Sequence, residues 1–173
     1  MKFYLAGPVV TDDKNIKKQM ENIERAIDCM RIYNSDLERD WVEIYTPKDH
    51  KVPNAWGIDI QTWAQCVFTM DVVAIDQCDW MVLADYGRHG TAGTAWEAGY
   101  AFAKGIKILV IQMPGVTESS LMTQGCAANI CKYEDFIEGI NEISVDKYDK
   151  MRDTKFDKFF YQRGRRSQER VLN

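Results

Sequence analysis

Two carboxylates and a tyrosine carry most of the chemistry this chain suggests. Glu97 lies in 87-GRHGTAGTAWEAGYAFAKGIK-107, after closely spaced glycines and threonines and inside the start of a helical pattern. A carboxylate at a helix N-terminus is held ionised by the helix dipole. If it faces a ligand crevice, it can attack a sugar carbon and form a covalent glycosyl ester. The same stretch, Thr94-Ala-Trp-Glu97, also fits a capping box, in which the glutamate bonds back to the cap amide. One carboxylate cannot do both in one rotamer, and the pattern alone leaves both readings open. Asp71 sits in the apolar run 67-VFTMDVVAI-75. Partial burial there would raise its pKa toward that of a general acid, whereas an outward position would make it an ordinary surface charge. Tyr4 could hydrogen-bond a carboxylate or fill the core. Trp63 and Phe68 could stack on a base, although aromatic side chains in helices more often pack inside. The Gly/Thr loop could cradle a phosphate with backbone amides. It is neither GxGxxG nor followed by GK[ST], so its pattern is a weak phosphate signal.

These residues need elements to hold them. The run 2-KFYLAG-7 reads as a buried strand ending in a Gly-Pro turn. Asp12 and Asp13 can cap the next helix, 14–33, where Ile16, Met20, Ile23, Ala26, Ile27 and Met30 recur at helical spacing. A second strand spans 41-WVEIYTP-47, followed by a turn-rich loop over 48–60 and a helix over 60–77. On that helix Trp63 and Asp71 stand about two turns apart, on nearly one face. Asp76 and Asp79 look like caps and turn formers. A third strand over 79–86 leads into the Gly/Thr loop and a helix through Lys104. The strand 106-IKILVIQM-113 is almost wholly apolar, as expected when both faces are covered. A loop through Gly125, a short strand over 127–133 and a helix over 134–144 follow. Strand–helix alternation predicts an α/β domain over 1–145, a doubly wound parallel five-stranded sheet with helices on both faces and right-handed crossovers. Ligands of such sheets sit beyond the carboxyl ends of the strands, where Tyr4–Gly7, Asp85 and the 114–125 loop converge. Residues 146–173 differ: they form a basic, aromatic tail with Phe156, Phe159, Phe160 and Tyr161. Its aromatics suggest docking, including onto a neighbouring subunit.

Composition narrows the classes. The chain has 173 residues, enough for one domain with a real core, and is 46% hydrophobic and 28% charged, a globular composition. Its net charge of −4 points away from a nucleic-acid polymer and toward small molecules or proteins as partners. Cys29, Cys66, Cys78, Cys126 and Cys131 form no CxxC pair and read as buried free thiols, which suits a reducing cytoplasm. The two histidines, His50 and His89, make a structural zinc site improbable. No signal peptide and no membrane-length apolar run are expected from the sequence.

The segments 3-FYLAGPVVTDDKN-15, 63-WAQCVFTMD-71, 79-DWMVLADY-86, 93-GTAWEAGYAFAKGIKILV-110 and 120-SLMTQG-125 together resemble the nucleoside 2-deoxyribosyltransferase family. The run from Gly93 to Gly105 is the most specific of them. The resemblance implies a flavodoxin-like subunit in a homo-oligomer with shared active sites, and no metal or cofactor. It implies transfer of a 2-deoxyribosyl group between bases through a covalent ester. In that reading Glu97 falls on the nucleophile, Tyr4 on the tyrosine that orients it and Asp71 on the carboxylate that protonates the base. Trp63 falls near the base wall, and Ser120 and Met122 on a loop that a neighbour contributes around the sugar 5′ end. Gly7, Asp85, Thr91 and Gly93 complete the expected substrate-binding set. Two departures stand out: Thr91 and Ser120 replace an aspartate and an asparagine found in many members. A sister group that hydrolyses nucleoside 5′-monophosphates has small hydroxyl residues at both places. The first loop resembles the transferases instead, and Asp12 and Asp13 would repel a phosphate if they pointed inward. Transfer is therefore the expected activity, with nucleotide N-glycosidase and non-catalytic nucleotide binding as alternatives.

Overall fold

The computed structural model describes residues 1–9, 11–33, 42–87, 90 and 92–145. The tail of 146–173 and the Thr91 position lie outside the described residues. Five strands, β1 (Lys2–Ala6), β2 (Glu43–Tyr45), β3 (Trp80–Asp85), β4 (Lys107–Gln112) and β5 (Asn129–Lys132), pair in the order β2-β1-β3-β4-β5. Every pairing is parallel. This is the flavodoxin-like order, in which the connections turn to opposite faces at β1 and β3.

Strand periodicity divides the core in two. Phe3 and Leu5 of β1, with Val82, Ala84, Leu109 and Ile111, pack against Met20, Ile23, Ala26 and Ile27 of α1 (Lys14–Tyr33) and Phe136 of α5 (Tyr133–Val145). Tyr4 and Ala6, with Met81, Leu83, Ile108 and Val110, face Ile75 of α2 (Ile60–Gln77) and Ala98 and Ala101 of α3 (Ala92–Ala103). Burial on both faces explains why β3 and β4 read as unbroken apolar runs.

Caps set the helix starts. Asp13 Oδ1 accepts from the Asn15 and Ile16 amides, and Asp59 Oδ1 accepts from those of Gln61 and Thr62. β2 is shorter than the 41–47 expected. Pro47 lacks an amide for the ladder and opens a short 3-10 turn instead, beside a Thr46–Asp49 side-chain hydrogen bond. A six-residue helix, α4 (Leu121–Cys126), replaces part of the expected loop, because six residues are too few to show a period. Gly7 closes the β1 turn tightly: a Cβ there would lie 2.5 Å from Met20 Cε.

Candidate active site beyond strands one and three

The capping-box reading of Thr94 and Glu97 is not what forms. α3 starts at Ala92, so Thr94 is already in its first turn and Glu97 is a full turn further in. Thr94, Ala98 and Ala101 form the inward stripe of this helix. Glu97 lies three residues after Thr94 and four before Ala101, so it turns the same way, over the end of β1. There the fully buried Tyr4 donates its hydroxyl proton to Glu97 Oε1 at 3.0 Å.

Asp71 reaches this place from α2, one turn before the buried Ile75. Its Oδ1 accepts from the Tyr45 hydroxyl at 3.1 Å. Tyr45 ends β2 and is the register partner of Tyr4; their rings stack with centroids 5.3 Å apart and planes 16° apart. On the other side Tyr45 stacks on His50 at 4.1 Å and 6°. Tyr45 and His50 are additions that reading the residues alone missed. The signal lay in the β1–β2 pairing, which a three-residue strand does not announce.

Burial dominates the electrostatics. It pushes Glu97 up to about 7, against the Tyr4 hydrogen bond and with the help of the nearby Asp71 charge. Asp71 is also raised by burial, opposed by hydrogen bonding from Tyr45 and Tyr4 and by the adjacent His50. Tyr4 has one hydroxyl proton, which it gives to Glu97 in this arrangement, while Asp71 stands close enough to compete for it. Burial, Glu97 and Asp71 all drive the Tyr4 phenol far upward, so it remains a donor. The site thus holds two carboxylates with separate tyrosine donors, both less acidic than in water.

The other expected residues fall into three groups. Asp85 is buried at the end of β3: its Oδ1 accepts from the Gly87 amide at 2.8 Å, while Oδ2 has no partner among the described residues. Gly87 has φ of 62°, in the left-handed region that glycine tolerates, so this loop needs it. Gly7 directly follows β1 and lies against Met20, and Gly93 is in the first turn of α3. Ser120 caps α4, accepting from the Thr123 amide at 3.1 Å, and Met122 is 84% exposed.

Trp63 is not a core residue, nor is Phe68, which packs against Trp96 on the outer side of α2 and α3 with ring centroids 4.9 Å apart. Asp76 is a tie between α2 and α3: it pairs with Lys104 at 3.0 Å and accepts from Tyr100. Asp79 accepts from the Lys2 amide. Cys66, Cys78, Cys126 and Cys131 are free, and burial pushes Cys78 and Cys131 up to about 12. A groove of about 900 Å³ runs between β2 and α2. It borders the site through Tyr45 and His50 but is lined by neither Glu97 nor Asp71. Among the described residues no three His, Cys, Asp or Glu side chains cluster as a metal site, and no helix is long and apolar enough to cross a membrane.

Comparison with solved structures gives the same fold in proteins of low identity. A 2-deoxyribosyltransferase from Bacillus psychrosaccharolyticus matches with a TM-score of 0.61 at 20% identity, over 86% of this chain and 93% of that one. A conserved protein from Enterococcus faecalis matches with a TM-score of 0.58 at 18% identity, over 83% and 98%. A CMP N-glycosidase from Clostridium botulinum matches with a TM-score of 0.52 at 17% identity, over 84% and 100%. No curated protein matches the chain significantly. The family model for nucleoside 2-deoxyribosyltransferase matches residues 3–141, from β1 into α5 and across the whole site. The chain therefore belongs to the nucleoside 2-deoxyribosyltransferase family.

Proposed function

We propose that the protein moves a 2-deoxyribosyl group from one nucleobase to another by double displacement at Glu97. The observation that carries this reading is the Tyr4–Glu97 hydrogen bond, with Asp71 held beside it by a second tyrosine. Glu97 attacks C1′ on the face opposite the base. The N-glycosidic bond breaks, its electron pair passes to the base nitrogen, and that nitrogen takes the proton of the Asp71 carboxyl. An ester joins C1′ to Glu97. The acceptor base then attacks C1′, Glu97 leaves as a carboxylate, and Asp71 recovers a proton from the incoming base. Raised pKa values suit both groups: burial favours the protonated form of Asp71, the form that can donate, and Glu97 ionises at about 7. Keeping water from the ester favours transfer over hydrolysis. Ser120 and the exposed Leu121 and Met122 fit a role at a neighbouring subunit's site, in a homo-oligomer acting on soluble nucleosides in the cytoplasm.

A second reading is hydrolysis of nucleoside 5′-monophosphates. The fold match to a CMP N-glycosidase supports it, and the Asp13 carboxylate, which caps α1, keeps its charge and counts against it. Incubation of deoxyinosine with adenine separates the two. Transfer yields deoxyadenosine and hypoxanthine. Release of free sugar and base alone, or faster cleavage of 5′-monophosphates than of nucleosides, overturns the transferase reading.

A further inference from the structure

We propose that Tyr45 is a positioning residue for Asp71, clamped by His50, and that it fixes which carboxylate oxygen exchanges a proton with the base. This rests on the reading of Asp71 as the acid. The Tyr45 ring lies between two others, Tyr4 at 5.3 Å and His50 at 4.1 Å, both near parallel. It cannot swing without breaking both stacks, and its Cα is fixed by pairing with Tyr4 across the ladder. Its hydroxyl therefore stays on Asp71 Oδ1. Burial and the Asp71 charge raise the phenol above its ordinary value, so it keeps its proton through the neutral range and acts as a donor. With Oδ1 taken by Tyr45 and the Tyr4 hydroxyl on Glu97, Oδ2 is the oxygen left to hold and deliver a proton.

The titratable groups around Asp71 come from three elements and one loop: Tyr4 of β1, Tyr45 at the end of β2, Glu97 of α3, and His50 beyond β2. Of these, Tyr45 makes the hydrogen bond that Asp71 accepts in this arrangement. A donor favours the ionised acid, so Tyr45 stabilises the carboxylate left on Asp71 once its proton has passed to the leaving base. Phenylalanine at this position would keep both ring stacks and remove only the donor.

The test uses the full chain with Tyr45→Phe, His50→Ala and His50→Phe. Carbon-13 titration of the carboxyls requires no turnover. In Tyr45→Phe the Asp71 midpoint moves to higher pH and that of Glu97 does not rise. With deoxyadenosine, kcat falls roughly tenfold, the worth of one hydrogen bond to a charged group, while KM changes little. With 7-methyl-2′-deoxyguanosine, whose base is already cationic and leaves without a proton, kcat changes less than twofold. His50→Ala moves toward Tyr45→Phe, and His50→Phe, which can still stack, restores the wild-type values. Equal losses on both nucleosides, or an unmoved Asp71 midpoint, overturn the proposal. If the wild-type protein cleaves neither nucleoside, the functional reading fails, and the carboxyl titration still decides whether Tyr45 governs Asp71.

Discussion

Tyr4 and Glu97 are 93 positions apart in the chain and share a 3.0 Å hydrogen bond inside the protein. A strand donates and a helix accepts, so the carboxylate is held by the two most rigid kinds of element. Burial raises Glu97 while Tyr4 opposes that rise. Removing the hydroxyl with Tyr4→Phe should raise Glu97 further. The acidic limb of kcat/KM, near pH 7 in the wild type, is expected to move up by about one pH unit, the effect of losing a hydrogen bond to a charged group. A pH–rate profile checks this.

Glu97 also has a stability signature. Its folded pKa of about 7 lies above the ordinary 4.5, so the folded state binds the proton more tightly. Stability therefore falls as pH rises from about 4.5 to 7, then levels off. Glu97→Gln removes that cost. The variant should be catalytically dead yet more stable than wild type by up to about 3 kcal/mol above pH 7, with the gain vanishing below pH 4.5. Urea unfolding at several pH values measures it.

Asp71→Asn should lose activity through the leaving group. Loss of a general acid typically costs 10²–10⁴-fold. The loss should be large for deoxyadenosine and small for 7-methyl-2′-deoxyguanosine, with parallel kcat measurements on the two as the check.

Gly7→Ala tests the packing beneath the crevice. A Cβ would meet Met20 at 2.5 Å on the terminal methyl and 2.9 Å on the sulfur, so Met20 must move. Because the atoms met are the flexible end of Met20, which can turn aside, the cost should stay near the low end of overpacking, about 1 kcal/mol, measured by denaturant unfolding. In a Met20→Ala background, itself less stable through the lost core side chain, the added cost of Gly7→Ala should shrink toward zero.

The sequence made the fold legible because parallel strands covered on both faces are long apolar runs, and β1, β3 and β4 are of that kind. β2 was harder to bound, since three residues at a sheet edge leave little pattern. For Glu97, Asp71 and Tyr4 the residue context left functional and structural readings open, and the family resemblance joined them; the structure brings the three close together. The capping-box alternative stayed open in the sequence because local spacing fixes which residues neighbour each other on a helix but not where the helix begins. Tyr45 and His50 were invisible for another reason: their importance comes from the lateral pairing of β1 and β2 and a ring stack beyond it, neither of which has a local sequence signal. For Trp63 and Phe68 the sequence left base stacking and core packing open, and their exposure removes the core alternative.

The central claim is a covalent ester on Glu97. The most direct measurement is intact and peptide mass spectrometry after rapid acid quench of the protein with deoxyinosine and no acceptor base. A single deoxyribosyl adduct on the peptide carrying Glu97, absent in Glu97→Gln, is the predicted result. Turnover without any adduct, or an adduct on Asp71 in place of Glu97, would contradict it.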